Sequence, residues 1–94
     1  MDAGWLTIKV KVRGRVQHVG YRRFVQDVAT EMGLFGKVRN GEDGTVEVLA
    51  RLPSISYNAF VLLLKEGSPG SRVRDVEVTE TQDVVEGRQF LIVD

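Results

Sequence analysis

The sequence predicts an α+β sandwich, an antiparallel sheet with two helices on one face. Three observations lead there. Residues 6–13 alternate between apolar and polar, the period of a half-buried strand, whereas residues 21–32 repeat their apolar positions at helical spacing. The same strand–helix–strand order then recurs in the second half of the 94 residues. Finally, 43% of the chain is hydrophobic, the share of an ordinary globular protein with a modest core.

The elements follow in order. Residues 1–4 read as a frayed start, and Trp5 as a cover for one end of the sheet. In the first strand Leu6, Ile8, Val10 and Val12 face one way and Thr7, Lys9, Lys11 and Arg13 the other. The first helix buries Tyr21, Phe24, Val25, Val28, Ala29 and Met32 as one stripe, and Gly33 ends it as a left-handed C′ residue. Arg23 is expected to pair with Asp27 one turn on. Leu34 to Asn40 forms the second strand with Val38 inward, and Asn40-Gly41-Glu42-Asp43-Gly44 turns the chain into a hairpin. Thr45 to Arg51 is the third strand, with Val46, Val48 and Ala50 on one face.

Pro53 and Ser54 open the second helix, whose expected buried stripe is Phe60, Leu63 and Leu64 and whose stop is Gly67. Ser68-Pro69-Gly70-Ser71 is a loop. Val73 and Val76 stand three apart, which breaks alternation and marks a bulge or late start in a fourth strand running to about Thr81. Gln82 to Gly87 is turn-like, and residues 90–93 make a short fifth strand at an edge. The order β-α-β-β-α-β-β predicts a ferredoxin-like split β-α-β sandwich, with the whole chain, 1–94, as one domain.

Composition narrows the chemistry. There is no cysteine, which excludes disulfides, thiolate catalysis and cysteine metal sites, and a single histidine supplies a zinc site or a serine–histidine triad poorly. No membrane-length apolar run or signal-peptide pattern occurs, so a cytoplasmic location is the default expectation, as is a monomer. Thirteen Lys/Arg balance thirteen Asp/Glu, but residues 1–40 carry a net +5 and residues 41–94 a net −5. That pattern suggests a local anion site in the first half, not a uniformly basic surface for nucleic acid.

The stretch Gly14-Arg15-Val16-Gln17-His18-Val19-Gly20-Tyr21-Arg22 is where such a site falls. A loop that ends at a helix N-terminus presents unpaired backbone N–H groups and the positive end of the helix dipole. Arg22 and Arg23 then stand in the first turn, where cations are disfavoured by about 0.3–1 kcal/mol, a cost that a bound anion offsets. Arginine suits phosphate because its planar, always charged guanidinium donates parallel bonds. Asn40 can both accept from and donate to one water, although asparagine before glycine is also what a hairpin turn selects.

The Gly14–Arg22 stretch resembles the acylphosphatase signature, typically G-x-V-Q-G-V-x-[FY]-R. Gly36-Lys37-Val38-Arg39-Asn40, followed by Gly44-Thr45-Val46, is similar to a second motif of that family, and Ser68-Pro69-Gly70-Ser71-Arg72-Val73 to its loop before the fourth strand. The resemblance spans nearly the whole chain. It implies a free-standing hydrolase of acyl phosphates such as acetyl phosphate, without metal, cofactor or covalent intermediate. By position it makes Arg22 the phosphate-binding arginine and Asn40 the holder of the attacking water. It also makes Arg15, Val16, Gln17, His18, Val19, Gly20 and Tyr21 the phosphate cradle.

Two positions depart from the family pattern. His18 replaces a glycine in the middle of the cradle, where a positive φ would strain it, and its ring is expected to point to solvent. Lys37 replaces an aromatic residue and is expected to face away from Val38. Two other functions remain in view. A phosphate-binding regulatory module would keep the pocket without turnover, with His18 as its best argument. RNA binding is disfavoured, because the exposed sheet positions Thr7, Lys9, Lys11, Thr45, Glu47 and Leu49 lack the aromatic platform of an RNA-recognition module.

Overall fold

The computed structural model describes residues 4–93. Strand β1 runs Trp5–Arg15, helix α1 Tyr21–Glu31, β2 Phe35–Asn40, β3 Val46–Pro53, helix α2 Tyr57–Glu66, β4 Arg72–Glu80 and β5 Phe90–Ile92. The strands lie in the order β4-β1-β3-β2-β5, and β1, β2, β3 and β4 pair antiparallel. The fifth strand takes an edge, as expected, but runs parallel to β2, so the five-stranded sheet is mixed. The fraying expected of residues 1–4 falls outside the described residues apart from Gly4, whose carbonyl accepts the Ser54 N–H.

The apolar stripe read from each element becomes the core. Ile8, Val10 and Val12 of β1, Val38 of β2, and Val46, Val48, Ala50 and Leu52 of β3 are buried against Tyr21, Val25 and Ala29 of α1 and Phe60 and Leu64 of α2. Burying each of the larger side chains is worth about 1.5–3 kcal/mol. Phe24, Val28 and Met32 complete the α1 stripe as half-buried neighbours. In α2 the rotation differs from expectation, with Val61 buried and Leu63 only half-buried. A 3-10 turn at Ser54–Ser56 precedes α2, whose first residue is Tyr57.

Two sequence signals are realised as backbone geometry. Gly33 sits at φ 73° after α1, where its N–H donates to Thr30 O at 3.1 Å and the Leu34 N–H to Ala29 O at 2.9 Å. This is a Schellman closure, and its use of Leu34 delays β2 to Phe35. The irregular spacing of Val73 and Val76 is a β-bulge, since Arg13 pairs with Asp75 and Gly14 with Val73, leaving Arg74 as the extra residue. At that point β1 passes so close to β4 that a Cβ on Gly14 would lie 2.1 Å from the Arg72 carbonyl oxygen.

The topology positions the site. β1 and β2 both run antiparallel to β3, which lies between them, so their C-terminal ends reach the same end of the sheet. That end also holds the start of β4, where Arg72 pairs with Arg15. Segments far apart in the sequence, 14–22, 40–46 and 68–73, thus meet at one end of the molecule.

Candidate active site

Val16 leaves β1 pointing inward and is almost wholly buried, which anchors the loop to the core. His18 then adopts φ 63° and is exposed, the one positive-φ residue other than glycine among those described. The condition set for strain at this position is met, at a cost of about 1–2 kcal/mol for an L-residue. Val19 is half-buried against the core, and Gly20, at φ 79°, caps α1 with its carbonyl accepting the Phe24 N–H at 3.1 Å. No side chain caps this helix and no acidic residue stands in its first turn, so nothing anionic on the helix itself answers the N-terminal dipole.

Tyr21 opens α1 and is buried, with its hydroxyl donating to Leu64 O at 2.7 Å. It closes one of the carbonyls left over at the C-terminus of α2, and burial pushes its phenol well above the usual range. Arg22 follows, half-buried in the first turn. Arg23 is exposed and pairs with Asp27 at 3.2 Å, as its spacing predicts. Gln26 donates to Phe90 O at 3.0 Å and so fixes α1 against the edge strand.

The loop and the hairpin are joined by one side chain. The Gln17 amide donates from Nε2 to Gly41 O at 2.9 Å and to Thr45 O at 2.8 Å. The Gly41 N–H also donates to Thr45 O, at 2.8 Å, so Gln17 reinforces the base of the hairpin that Asn40 enters. The sequence placed Gln17 in the cradle but gave no sign that its side chain spans to the hairpin. Asn40 ends β2 opposite Val46, and its Oδ1 is buried without a hydrogen-bond partner among the described residues.

Beyond Asn40, the turn is held by Asp43, which accepts from the Thr45 hydroxyl at 2.6 Å and the Thr45 N–H at 3.3 Å. Those two bonds, with Lys11 nearby, hold the Asp43 carboxyl down to about 2. The sequence signal for this turn was the run Asn40-Gly41-Glu42-Asp43-Gly44; the reach of Asp43 two residues on to Thr45 is seen only in the structure. The third motif reaches the same end: a Cβ on Gly70 would lie 3.3 Å from Val19 O. Its loop is closed by Ser71, whose hydroxyl accepts the Ser68 N–H at 2.8 Å and donates to Ser68 O at 2.9 Å.

Two concavities lie away from the loop. One, of about 720 Å³, opens on the sheet face away from the helices and is lined by Lys9, Lys11, Arg39, Glu47 and their neighbours. Another, of about 750 Å³, lies where Trp5 stacks on Phe35 with centroids 6.0 Å apart and Arg51 rests 5.8 Å from the Trp5 ring. Trp5 thus covers one end of the sheet, the end away from the loop. Among the described residues no group of three or more His, Cys, Asp or Glu is placed to hold a metal.

Comparison with known proteins agrees with this architecture. Residues 8–92 match the acylphosphatase family model. An acylphosphatase from Bacillus subtilis (strain 168) is 44% identical over 88 residues, covering 94% of this chain and 97% of that protein. The crystal structure of acylphosphatase from Bacillus subtilis superposes with a TM-score of 0.88 over 95% of this chain and 99% of that one. The structure of an acylphosphatase from Coxiella burnetii, 34% identical, gives 0.86 over 96% and 94% of the two chains. A split β-α-β sandwich of the ferredoxin-like kind is the class these matches define. The chain belongs to the acylphosphatase family and is an enzyme of that family.

Proposed function

We propose that the protein hydrolyses acyl phosphates, mixed anhydrides of a carboxylic and a phosphoric acid, to carboxylate and inorganic phosphate. In this reading the Arg22 guanidinium and the N–H groups of residues 15–21 bind the phosphoryl oxygens, and Asn40 holds the attacking water. The observation that carries it is Asn40 Oδ1, a buried carbonyl oxygen with no hydrogen-bond partner among the described residues, on the hairpin that Gln17 ties to the loop. An unmade buried acceptor costs about 1–3 kcal/mol. A water that donates to it removes that cost and has its oxygen lone pair aimed.

The water oxygen forms a bond to phosphorus as the bond from phosphorus to the acyl oxygen breaks, and the electron pair leaves with the carboxylate. A water proton passes to a phosphoryl oxygen of the substrate. Negative charge in the transition state spreads over the equatorial oxygens, where positioned donors act without reorganising. Carboxylate departs readily, so the step needs no strong general acid and, in this reading, no metal or cofactor. The reading includes a cytoplasmic monomer, for which light scattering should return the mass of one chain.

Paired variants test the roles. Arg22→Ala should lower both turnover and the affinity for inorganic phosphate by about 100-fold, the scale of lost charge-assisted bonds. Asn40→Ala should lower kcat by a similar factor while phosphate affinity stays within about threefold, because it removes a contact to the water only. The opposite pattern at Asn40 would make it a turn residue and nothing else. One observation favours a second reading. His18, strained at φ 63° within the cradle, suits a module that binds phosphate without turnover, and calorimetric phosphate binding by a protein inert toward acyl phosphates would establish it.

A further inference from the structure

Four cations on the open face of the sheet are matched by carboxylates. Lys9 pairs with Asp83, Lys11 with Asp43, Arg13 with Asp75 and Glu77, and Arg39 with Glu47. Arg15 and Arg72 differ. They stand directly opposite each other on β1 and β4, both exposed, and neither makes an ion pair or side-chain hydrogen bond with any described residue. Side chains directly opposite on antiparallel strands have Cβ atoms about 5 Å apart, and like charges there are destabilising. The nearest acids in register, Asp75 and Glu77, are engaged by Arg13. The bulge at Arg74 sets this register, because without the extra residue Arg72 would not face Arg15.

We propose that Arg15 and Arg72 form a second anion subsite at the edge of the cradle. It selects acyl phosphates whose acyl half carries its own anionic group, a carboxylate or a further phosphate. The inference rests on the acyl phosphate reading above and adds a substrate preference to it. Arg15 is the first residue of the loop assigned to the phosphoryl group, so the pair lies beside that group. Arginine pairs bind carboxylate and phosphate alike through bidentate bonds, so the subsite reads charge and not the identity of the anion. Arg72 makes no contact in this scheme with the atoms that react and acts on specificity alone.

The test compares benzoyl phosphate with 3-carboxybenzoyl and 4-carboxybenzoyl phosphate, which differ only in the added charge and its direction. Wild-type protein should show a kcat/KM about two- to fivefold higher for at least one carboxylated substrate, the range of an exposed charge contact. The preference should shrink as ionic strength rises. Arg72→Gln should remove it while leaving benzoyl phosphate hydrolysis within about twofold, and Arg72→Lys should retain part of it. Arg88→Gln, the same change of net charge at the Trp5 end of the molecule, should leave the preference intact. Equal use of all three substrates by the wild type, or a parallel loss on all three in Arg72→Gln, would overturn the subsite. Failure of the wild type to hydrolyse any of them would instead overturn the acyl phosphate reading, and the subsite with it.

Discussion

His18 holds a left-handed backbone conformation at φ 63°, where glycine is stable and other residues are not. Relieving that strain is worth about 1–2 kcal/mol, offset by about 0.4–1 kcal/mol for the extra freedom that glycine gives the unfolded chain. His18→Gly should therefore stabilise the protein by about 0.5–1 kcal/mol in denaturant titration, with activity unchanged or raised. A large loss of activity would mean that the imidazole has an active part. Asp43 makes a second claim at this scale. Its carboxyl titrates at about 2 in the folded chain, below its ordinary 3.8, because Thr45 donates to it twice. Depression in the folded state means that the stabilisation is complete above the ordinary value and is lost as pH falls through the folded one. The stability gap between wild type and Asp43→Asn should hold constant from pH 7 to about 5 and close between about 4 and 2. A gap independent of pH would contradict the contact. Arg22, Asn40 and His18 were legible as residues because each sits in a motif. The orphaned state of Asn40 Oδ1 was not, since it depends on what the fold packs around the side chain.

Among the elements, the join between loop and hairpin matters most. Gln17 places one amide against two carbonyls and so adds a side-chain tie between cradle and hairpin to the sheet pairing that brings them together. Gln17→Glu keeps the shape and turns a donor into an acceptor facing two acceptors. It should cost about 1–3 kcal/mol of stability and lower kcat by tenfold or more, with part of the activity recovered as acid protonates the new carboxyl. In an Asn40→Ala background the same change should have little further effect on kcat, because both act on the water. Full additivity would reduce Gln17 to a structural tie. Element boundaries show where sequence pattern ran out. The bulge in β4 and the Gly33 stop were legible, since spacing and glycine position report backbone geometry directly. The rotation of α2 was not. Its apolar residues cover more than one face, so periodicity does not choose between Val61 and Leu63, and in the packed molecule Val61 is the more buried.

At the scale of the whole molecule, the split topology accounts for the charge pattern as well as the site. The basic first half and the acidic second half do not form two poles. β1 lies between β3 and β4, so its cations meet carboxylates of the second half across the sheet. Exposed pairs of this kind add at most about 1 kcal/mol each, and their main effect is to cancel a basic face that would otherwise attract polyanions. The two helices and the edge position of β5 followed from element order. The parallel direction of β5 did not, because the 81–89 connection carries no period that fixes its path. The same topology brings the Arg22 and Asn40 segments to one end of the sheet, the premise of the proposed chemistry. The most direct measurement is hydrolysis of benzoyl phosphate by the purified protein at neutral pH with a metal chelator present. The account predicts rapid release of phosphate and benzoate, unchanged by the chelator and lost in Asn40→Ala. A folded protein that binds phosphate but leaves benzoyl phosphate intact would contradict it.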